Sequence, residues 1–140
     1  MKKLLICMFA AVLICVSATA EINAAYTNEI LAQINEERIR YGYKTLIPNA
    51  ELMEAAYMRA LEITRRFSHT RPDGSRWSTV SAKALGENIA KGYGYPDKVM
   101  AAWLSSSGHR RNILKPGYGS VGVCAYEHKG VIYWVQLFGK

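Results

Sequence analysis

The sequence predicts a single α+β domain in which helices cover a small antiparallel sheet. The first part of the chain carries apolar residues at steps of three or four, which is typical of amphipathic helices. From Val121 onward the apolar residues alternate and then run together, which is typical of strands. A length of 140 residues without an internal repeat is sufficient for one small domain and predicts no second one.

The N-terminus has the pattern of a secretory signal peptide. Two lysines precede an apolar run from Leu4 to Val16, which is shorter than the ~20 apolar residues that span a bilayer. Ala18-Thr19-Ala20 provides the small residues that a signal peptidase accepts. We therefore expect residues 1–20 to be removed and residues 21–140 to fold outside the cell or in the cell envelope, with no integral membrane segment after processing.

The cysteines predict a domain without disulfides. Cys7 and Cys15 lie in the expected signal peptide, so Cys124 is the one cysteine expected in the exported domain. Cys15 also ends the apolar run as a lipid-attachment site would, but Ile14 is bulkier than the small residue usual before such a cysteine. Cys124 alternates within a predicted strand, so we interpret it as buried and unreactive.

The charge balance is moderately basic and argues against one class of partner. The whole chain has 18 basic and 11 acidic residues and a formal charge of +7, and loss of the two N-terminal lysines leaves +5. A nucleic-acid-binding surface needs a concentrated basic stripe with base-stacking aromatic residues, and the sequence has no such stripe. We therefore expect no nucleic-acid partner.

Two amphipathic helices are predicted in the first half of the expected domain. The first extends from Tyr26 to Gly42, where the glycine ends it. The second opens at Pro48-Asn49 and places a row of small and apolar residues on one face. This face comprises Leu52, Ala56, Ala60, Ile63 and Phe67.

A polar loop and a third helix follow. Residues 68–75 contain Pro72 and Asp73-Gly74, which favour a turn. The segment from Leu85 to Gly94 is interpreted as one apolar turn among several glycines. The third helix begins at Pro96-Asp97, because proline is favoured in the first helical turn, and ends in the serines that follow Leu104.

The last third of the chain predicts a β-hairpin. Val121, Val123 and Ala125 alternate with other residues, and Val131 to Phe138 is almost wholly β-branched, aromatic or apolar. His128-Lys129-Gly130 is the predicted turn. The second strand is expected to be buried on both faces.

Three segments carry residues suited to chemistry: His69 in the polar loop, Glu87 in Gly86-Glu87-Asn88-Ile89-Ala90, and His109 in the segment from Ser107 to Leu114. Two imidazoles and a carboxylate can bind a divalent metal or act as proton donors and acceptors if the fold brings them together. The spacing matches no zinc-finger or His-Glu-x-x-His signature, so the residues alone favour hydrogen-bonded structural roles for both histidines.

These segments, with Trp103, Val121-Gly122-Val123 and Tyr133 to Phe138, resemble the CAP superfamily of cysteine-rich secretory, antigen 5 and pathogenesis-related proteins. The resemblance runs from about Ile30 to the C-terminus and is closest to the compact, disulfide-free bacterial branch. It implies a three-layer α-β-α sandwich, in which helices pack on both faces of the small antiparallel sheet.

The resemblance also implies a cleft lined by two histidines and two glutamates. His69, Glu87 and His109 match three of these positions, whereas Ser106 stands where the second glutamate would follow Trp103 in a Trp-x-x-Glu pattern. Losing this carboxylate weakens both metal binding and hydrolysis. We expect a weak site for Zn²⁺ or another divalent metal with His69 and His109 as ligands, and no organic cofactor. Glu87 is expected to be either a third ligand or the partner that orients a histidine.

Other polar and aromatic residues in these motifs have simpler structural interpretations. Asn88 and Asn112 are expected to tie loops together, and Gln136 to join a buried polar network. Trp103 and Trp134 are expected to be core anchors. The serines after Leu104 are interpreted as a polar helix end rather than as nucleophiles.

Two classes of function remain open at this point. The first is a secreted, monomeric binding module that presents the His69, Glu87 and His109 cleft to a lipid, an envelope polymer or another protein. The second is an extracellular metal-assisted or acid–base hydrolase resembling a protease. The fold alone does not choose between them, and the missing nucleophile favours binding.

Overall fold

The structure, a computed structural model, describes residues 21–140. The expected signal peptide, residues 1–20, lies outside the described residues. In chain order the elements are β1 (Glu21–Ile22), α1 (Ala24–Arg40), β2 (Ile47–Pro48), α2 (Ala50–Arg65), a 3-10 helix (Trp77–Val80), β3 (Gly86–Lys91), α3 (Pro96–Ser105), α4 (Ser107–Ile113), β4 (Ser120–His128) and β5 (Val131–Gly139). Within residues 21–140, no helix combines the length and the apolar character needed to cross a membrane.

The sheet has five strands and is built around the predicted hairpin. The order is β1-β4-β5-β3, with antiparallel pairing along this path, and β2 adds a parallel pair with β4. His128 pairs with Val131, so the turn is shorter than predicted and consists of Lys129 and Gly130. Both turn residues have positive φ angles, 51° and 74°, which suits a two-residue hairpin turn that follows the strand twist.

Helices cover both faces of the sheet, which confirms the three-layer α-β-α sandwich. On one face, α1, α3 and α4 pack against β4 and β5 through residues such as Ile34, Trp103 and Trp134. On the other face, α2 packs against alternate residues of the same strands, including Cys124 and Leu137. The alternation of β4 side chains between two buried faces explains why both of its faces are apolar.

Gly122 allows α2 to lie directly on β4. A Cβ atom at this position would overlap the backbone carbonyl of Leu52 in α2. Because backbone cannot move aside as a flexible side chain can, the sheet and the helix approach this closely only at a residue without a side chain.

Arg38 is buried, although the sequence pattern groups it with the charged face of the first helix. Its guanidinium donates hydrogen bonds to four carbonyl oxygens, those of Lys44 at 2.8 Å, Ile113 at 2.8 Å, Lys115 at 3.0 Å and Tyr118 at 3.3 Å. Burial lowers the pKa of Arg38 from its usual value. The side chain therefore joins the C-terminal end of α1 to the end of α4 and the segment that precedes β4.

The segment interpreted as a turn among glycines forms the strand β3 instead. Residues from Gly86 to Ala90 are all buried, and the polar Glu87 and Asn88 stand among them. A buried strand that carries a charge and an amide has neither an alternating nor a continuous apolar pattern, so the periodicity does not reveal it.

The end of α2 and the start of α4 also differ from the prediction. The helix α2 ends at Arg65, and Phe67 lies beyond it with 42% of its surface exposed, so Phe67 does not close the buried face. Arg66 is already extended, with φ −143° and ψ 105°, which turns the chain away from the helix axis. The serine segment ends α3 as predicted. A further helix that was not predicted, α4, begins at Ser107.

Candidate functional site

Glu87 holds the ring of His69 in place at one edge of the sheet. The Nδ1 atom of His69 lies 2.7 Å from Oε1 of Glu87. The Glu87 side chain is fully buried, whereas 54% of the His69 side chain is exposed. A carboxylate in this position accepts a hydrogen bond from the protonated Nδ1 of the neutral ring. In this tautomer, Nε2 has a free lone pair that can bind a metal or take up a proton.

Arg59 of α2 holds Glu87 in turn. Its Nε donates to Oε2 of Glu87 at 2.6 Å, and its Nη2 lies 3.2 Å from Oε1 of the same carboxylate. The same Nη2 donates to the carbonyl of Ser68 at 2.8 Å, next to His69 in the chain. The guanidinium therefore positions both the carboxylate and the loop that carries the histidine.

Arg59 belongs to this site although it lies in none of the motifs that predicted the site. The available signal is its place on α2: Arg59 adjoins Ala60 and follows Ala56 by three residues, so it lies on the helix face that turns toward the sheet. A charged residue on an apolar helix face requires a buried partner, and Glu87 provides it.

The ion pairs continue from Arg59 toward the surface. Nη1 of Arg59 donates to Glu62 at 2.6 Å, and Arg71 donates to the same carboxylate at 2.6 and 2.9 Å. Burial alone would raise the pKa of Glu62, but the hydrogen bonds from Arg71 and Arg59 outweigh it and hold the pKa below its usual value. Arg71 is thus held in an ion pair beside His69.

The backbone of His109 is held by a chain of three side-chain amides, of which those of Asn88 and Gln136 are buried. Nδ2 of Asn88 donates to the carbonyl of His109 at 3.0 Å and to Oε1 of Gln136 at 2.9 Å. Nδ2 of Asn112 donates to Oδ1 of Asn88 at 2.9 Å and approaches the carbonyl of Glu87 at 3.2 Å. The predicted roles of the three amides in joining segments and satisfying buried groups are therefore confirmed.

The electrostatics favour a neutral ring at His109. Burial lowers the pKa of His109, and the nearby charge of His69 lowers it further. The adjacent residues Glu87 and Asn88 of β3 contact His69 and His109 respectively, so the two histidines, far apart in sequence, lie near the same strand. At neutral pH the ring of His109 has a lone pair on one nitrogen.

A cavity of about 370 Å³ adjoins His109. Its walls include Trp103 and Ser106 at the end of α3, and Phe67 and Tyr93 at its mouth. Ser106, which stands where the family pattern has a glutamate, makes no side-chain hydrogen bond with another described residue and so brings a hydroxyl to the cavity wall.

The metal-binding capacity of these residues is limited. Within residues 21–140, no group of three or more His, Cys, Asp or Glu side chains is placed to hold a metal ion. Both carboxylate oxygens of Glu87 are already hydrogen-bonded to Arg59. Glu87 is therefore engaged as the residue that orients His69, and the imidazoles of His69 and His109 are the candidate donors that remain.

Two further predictions concern residues of the core. Trp103 and Trp134 are almost completely buried, which confirms that they are core anchors. Cys124 is a buried free thiol, and burial raises its pKa to about 12. A thiol with this pKa is not a nucleophile at neutral pH, which confirms the prediction that Cys124 is unreactive.

Comparisons with known proteins agree with the fold. The protein YkwD of Bacillus subtilis (strain 168) is 34% identical over 125 residues, which are 84% of this chain and 48% of that protein. An extracellular protein containing an SCP domain from Bacillus anthracis str. Ames superimposes with a TM-score of 0.75 at 22% identity, over 83% of this chain and 40% of that chain. An outer surface protein of Borrelia burgdorferi gives a TM-score of 0.73 at 17% identity, over 87% of this chain and 98% of that chain.

This chain spans about half the length of YkwD, the curated relative it matches. Residues 31–138 match the family model described as the cysteine-rich secretory protein family, CAP. This match covers most of the chain and includes His69, Glu87 and His109. The chain therefore belongs to the CAP, or cysteine-rich secretory protein, family.

Proposed function

We propose that the protein is an extracellular binding module whose ligand contacts the cleft between His69 and His109. The observation that carries the proposal is the contrast within the His69–Glu87 pair: the carboxylate is fully buried, and the ring that it orients is half exposed. The ring of His69 is held in one orientation by a buried partner and is exposed to solvent, so it can contact a ligand without rearranging. The signal-peptide pattern of residues 1–20 supports export, and so do the descriptions of the two structural relatives as extracellular and outer-surface proteins.

The proposed cleft includes a weak site for Zn²⁺ or another divalent metal. His69 and His109 are the proposed ligands, and water or the bound ligand completes the coordination. Burial lowers the pKa of His109, which favours the neutral imidazole that metal binding requires. The contact of Nδ1 of His69 with Glu87 leaves Nε2 as the ring nitrogen available to a metal. A bound metal would act as a Lewis acid in the cleft.

Hydrolysis is the second candidate function. The contact between His69 and the buried Glu87 is the arrangement that orients a histidine as a general base. Within the described residues, no hydroxyl or thiol side chain hydrogen-bonds to His69 or His109, so no activated nucleophile accompanies this base. Attack by water deprotonated at His69 is therefore the form of hydrolysis that the geometry supports.

Calorimetric zinc titrations at neutral pH test the shared site. We expect one weak binding event in the wild type, its loss in His69→Ala and in His109→Ala, and no change in the control His128→Ala, whose ring lies at the end of β4. Identical titrations of the wild type and of the double variant lacking His69 and His109 would contradict the metal site. Hydrolysis is tested with a casein substrate, on which His69→Ala should remove any activity that the wild type shows.

A further inference from the structure

The strand β3 presents an unused backbone edge next to the cleft. Among residues 21–140, β3 pairs with β5 alone, so its other side is an edge of the sheet. The amide of Gly92, which directly follows β3, donates to the carbonyl of Ile132, so even-numbered residues direct their backbone groups toward β5. The N–H and C=O groups of the odd-numbered residues, Glu87, Ile89 and Lys91, therefore point outward.

Side chains of the neighbouring helices cover the first part of this edge. Nδ2 of Asn112 approaches the carbonyl of Glu87 at 3.2 Å, and Nε1 of Trp103 approaches the carbonyl of Ile89 at 3.4 Å. The N–H of Ile89, which lies between these two carbonyls, has no partner among the described residues. Beyond the carbonyl of Ile89, both backbone groups of Lys91 also have no partner there. An edge that is covered at one end and open at the other can accept a short added strand.

The open part of the edge borders the cavity beside His109. Ile89, Ala90 and Lys91 form one wall of this cavity of about 370 Å³. Two aromatic side chains stand at its mouth, Phe67 with 42% and Tyr93 with 39% of their surfaces exposed. Hydrogen-bonding backbone and an apolar recess thus lie side by side, as they do where a protein binds an extended peptide.

The charges around the cavity favour an acidic ligand. The ammonium group of Lys91 lies 5.0 Å from the centre of the Phe67 ring. His109 also lines the cavity, and none of the residues that line it in the described chain is acidic. A carboxylate bound here is attracted by Lys91 and meets no acidic side chain among the lining residues.

We infer that an extended acidic peptide binds as an added strand on the open edge of β3, with an apolar side chain in the adjoining cavity and a carboxylate near Lys91. This inference rests on the proposed function, because it names the class of ligand that reaches the cleft. A peptide supplies alternating donors and acceptors at the ~3.3 Å spacing of the strand, which a lipid chain does not. The occupied carbonyls of Glu87 and Ile89 limit the added strand to about three residues opposite Lys91.

The experiment uses a fluorescein-labelled hexapeptide of alternating valine and glutamate, measured by fluorescence anisotropy with EDTA present. Two control peptides carry N-methyl groups on either the valine or the glutamate amides, which removes alternate backbone donors and keeps every side chain. We expect one of the two N-methylated peptides to bind at least about tenfold more weakly than the parent, because its methyl groups face β3. Equal affinity of all three peptides, or no binding of the parent peptide, would overturn the inference.

Two variants of Lys91 distinguish the contribution of its charge to peptide binding from the contribution of its backbone N–H. Lys91→Gln removes the ammonium group and keeps the edge N–H, whereas Lys91→Pro removes both and leaves the β5 side of the strand unchanged. We expect Lys91→Gln to weaken binding by about threefold and Lys91→Pro by at least about tenfold, with unchanged circular dichroism. Equal binding by Lys91→Pro and wild type would overturn the edge-strand geometry. If zinc binds through His69 and His109 but the peptide does not bind, this inference fails and the proposed function stands.

Discussion

Replacing Arg59 by methionine tests whether the buried ion pair holds the site together. Arg59 and Glu87 both have fully buried side chains and meet at 2.6 Å. Arg59→Met keeps most of the side-chain volume but leaves the carboxylate of Glu87 buried without its arginine. Removing one partner of a buried pair in this way costs about 3–5 kcal/mol of the free energy of unfolding.

The matched control for Arg59→Met is Arg71→Met, because both arginines hydrogen-bond Glu62 and only Arg71 reaches solvent. We expect Arg71→Met to cost at most about 1 kcal/mol, since partly exposed ion pairs contribute little. Urea unfolding, followed by the fluorescence of the buried tryptophans, gives both values. A loss below about 1 kcal/mol for Arg59→Met would refute the claim that the pair stabilises the cleft. In the double variant Arg59→Met/Glu87→Leu, removal of both charges should restore part of the stability.

Three further results are expected from the packing and the charges. Trp103→Ala should lower the free energy of unfolding by about 3–5 kcal/mol in urea titrations, and His69→Ala by less than about 0.5 kcal/mol; equal small losses would contradict the core role of Trp103. Gly122→Ala should lower the thermal midpoint and Gly108→Ala should not, because only the first Cβ meets backbone; a stable Gly122→Ala would contradict the close approach of α2. Glu62 has a pKa below its unfolded value of ~4.3, so its stabilisation is present above that pH and is lost as the pH falls through the folded pKa. Urea midpoints from pH 5 to 3 should therefore fall less steeply in Glu62→Gln than in the wild type, and equal slopes would contradict this ion pair.

Elements with a clear hydrophobic period were predictable from the sequence. The first three helices and the hairpin have such patterns, and their positions agree with α1, α2, α3, β4 and β5 within a few residues. The strand β3 was not predictable in this way, because the contacts that stabilise its polar residues come from other elements. Asn88 is satisfied by His109 and Gln136, which are distant in the chain.

The site was only partly predictable, because contacts between distant elements also decide how its residues pair. The family resemblance identified His69, Glu87 and His109 as cleft residues, and the chemistry of a carboxylate beside an imidazole suggested that Glu87 orients a histidine. It did not indicate which histidine, nor that Arg59 occupies the other side of the carboxylate. That choice depends on how α2 packs on the sheet, which is set by tertiary contacts and not by local sequence.

The most direct test of the account is the ¹⁵N NMR spectrum of the three histidine rings with and without zinc. The contact with Glu87 predicts that neutral His69 carries its proton on Nδ1, so that Nε2 is unprotonated. Zinc should then shift ring nitrogens of both His69 and His109 over the same concentration range and leave His128 unchanged. A proton on Nε2 of neutral His69, or a zinc response that omits either His69 or His109, would contradict the claim that the two histidines face one shared cleft.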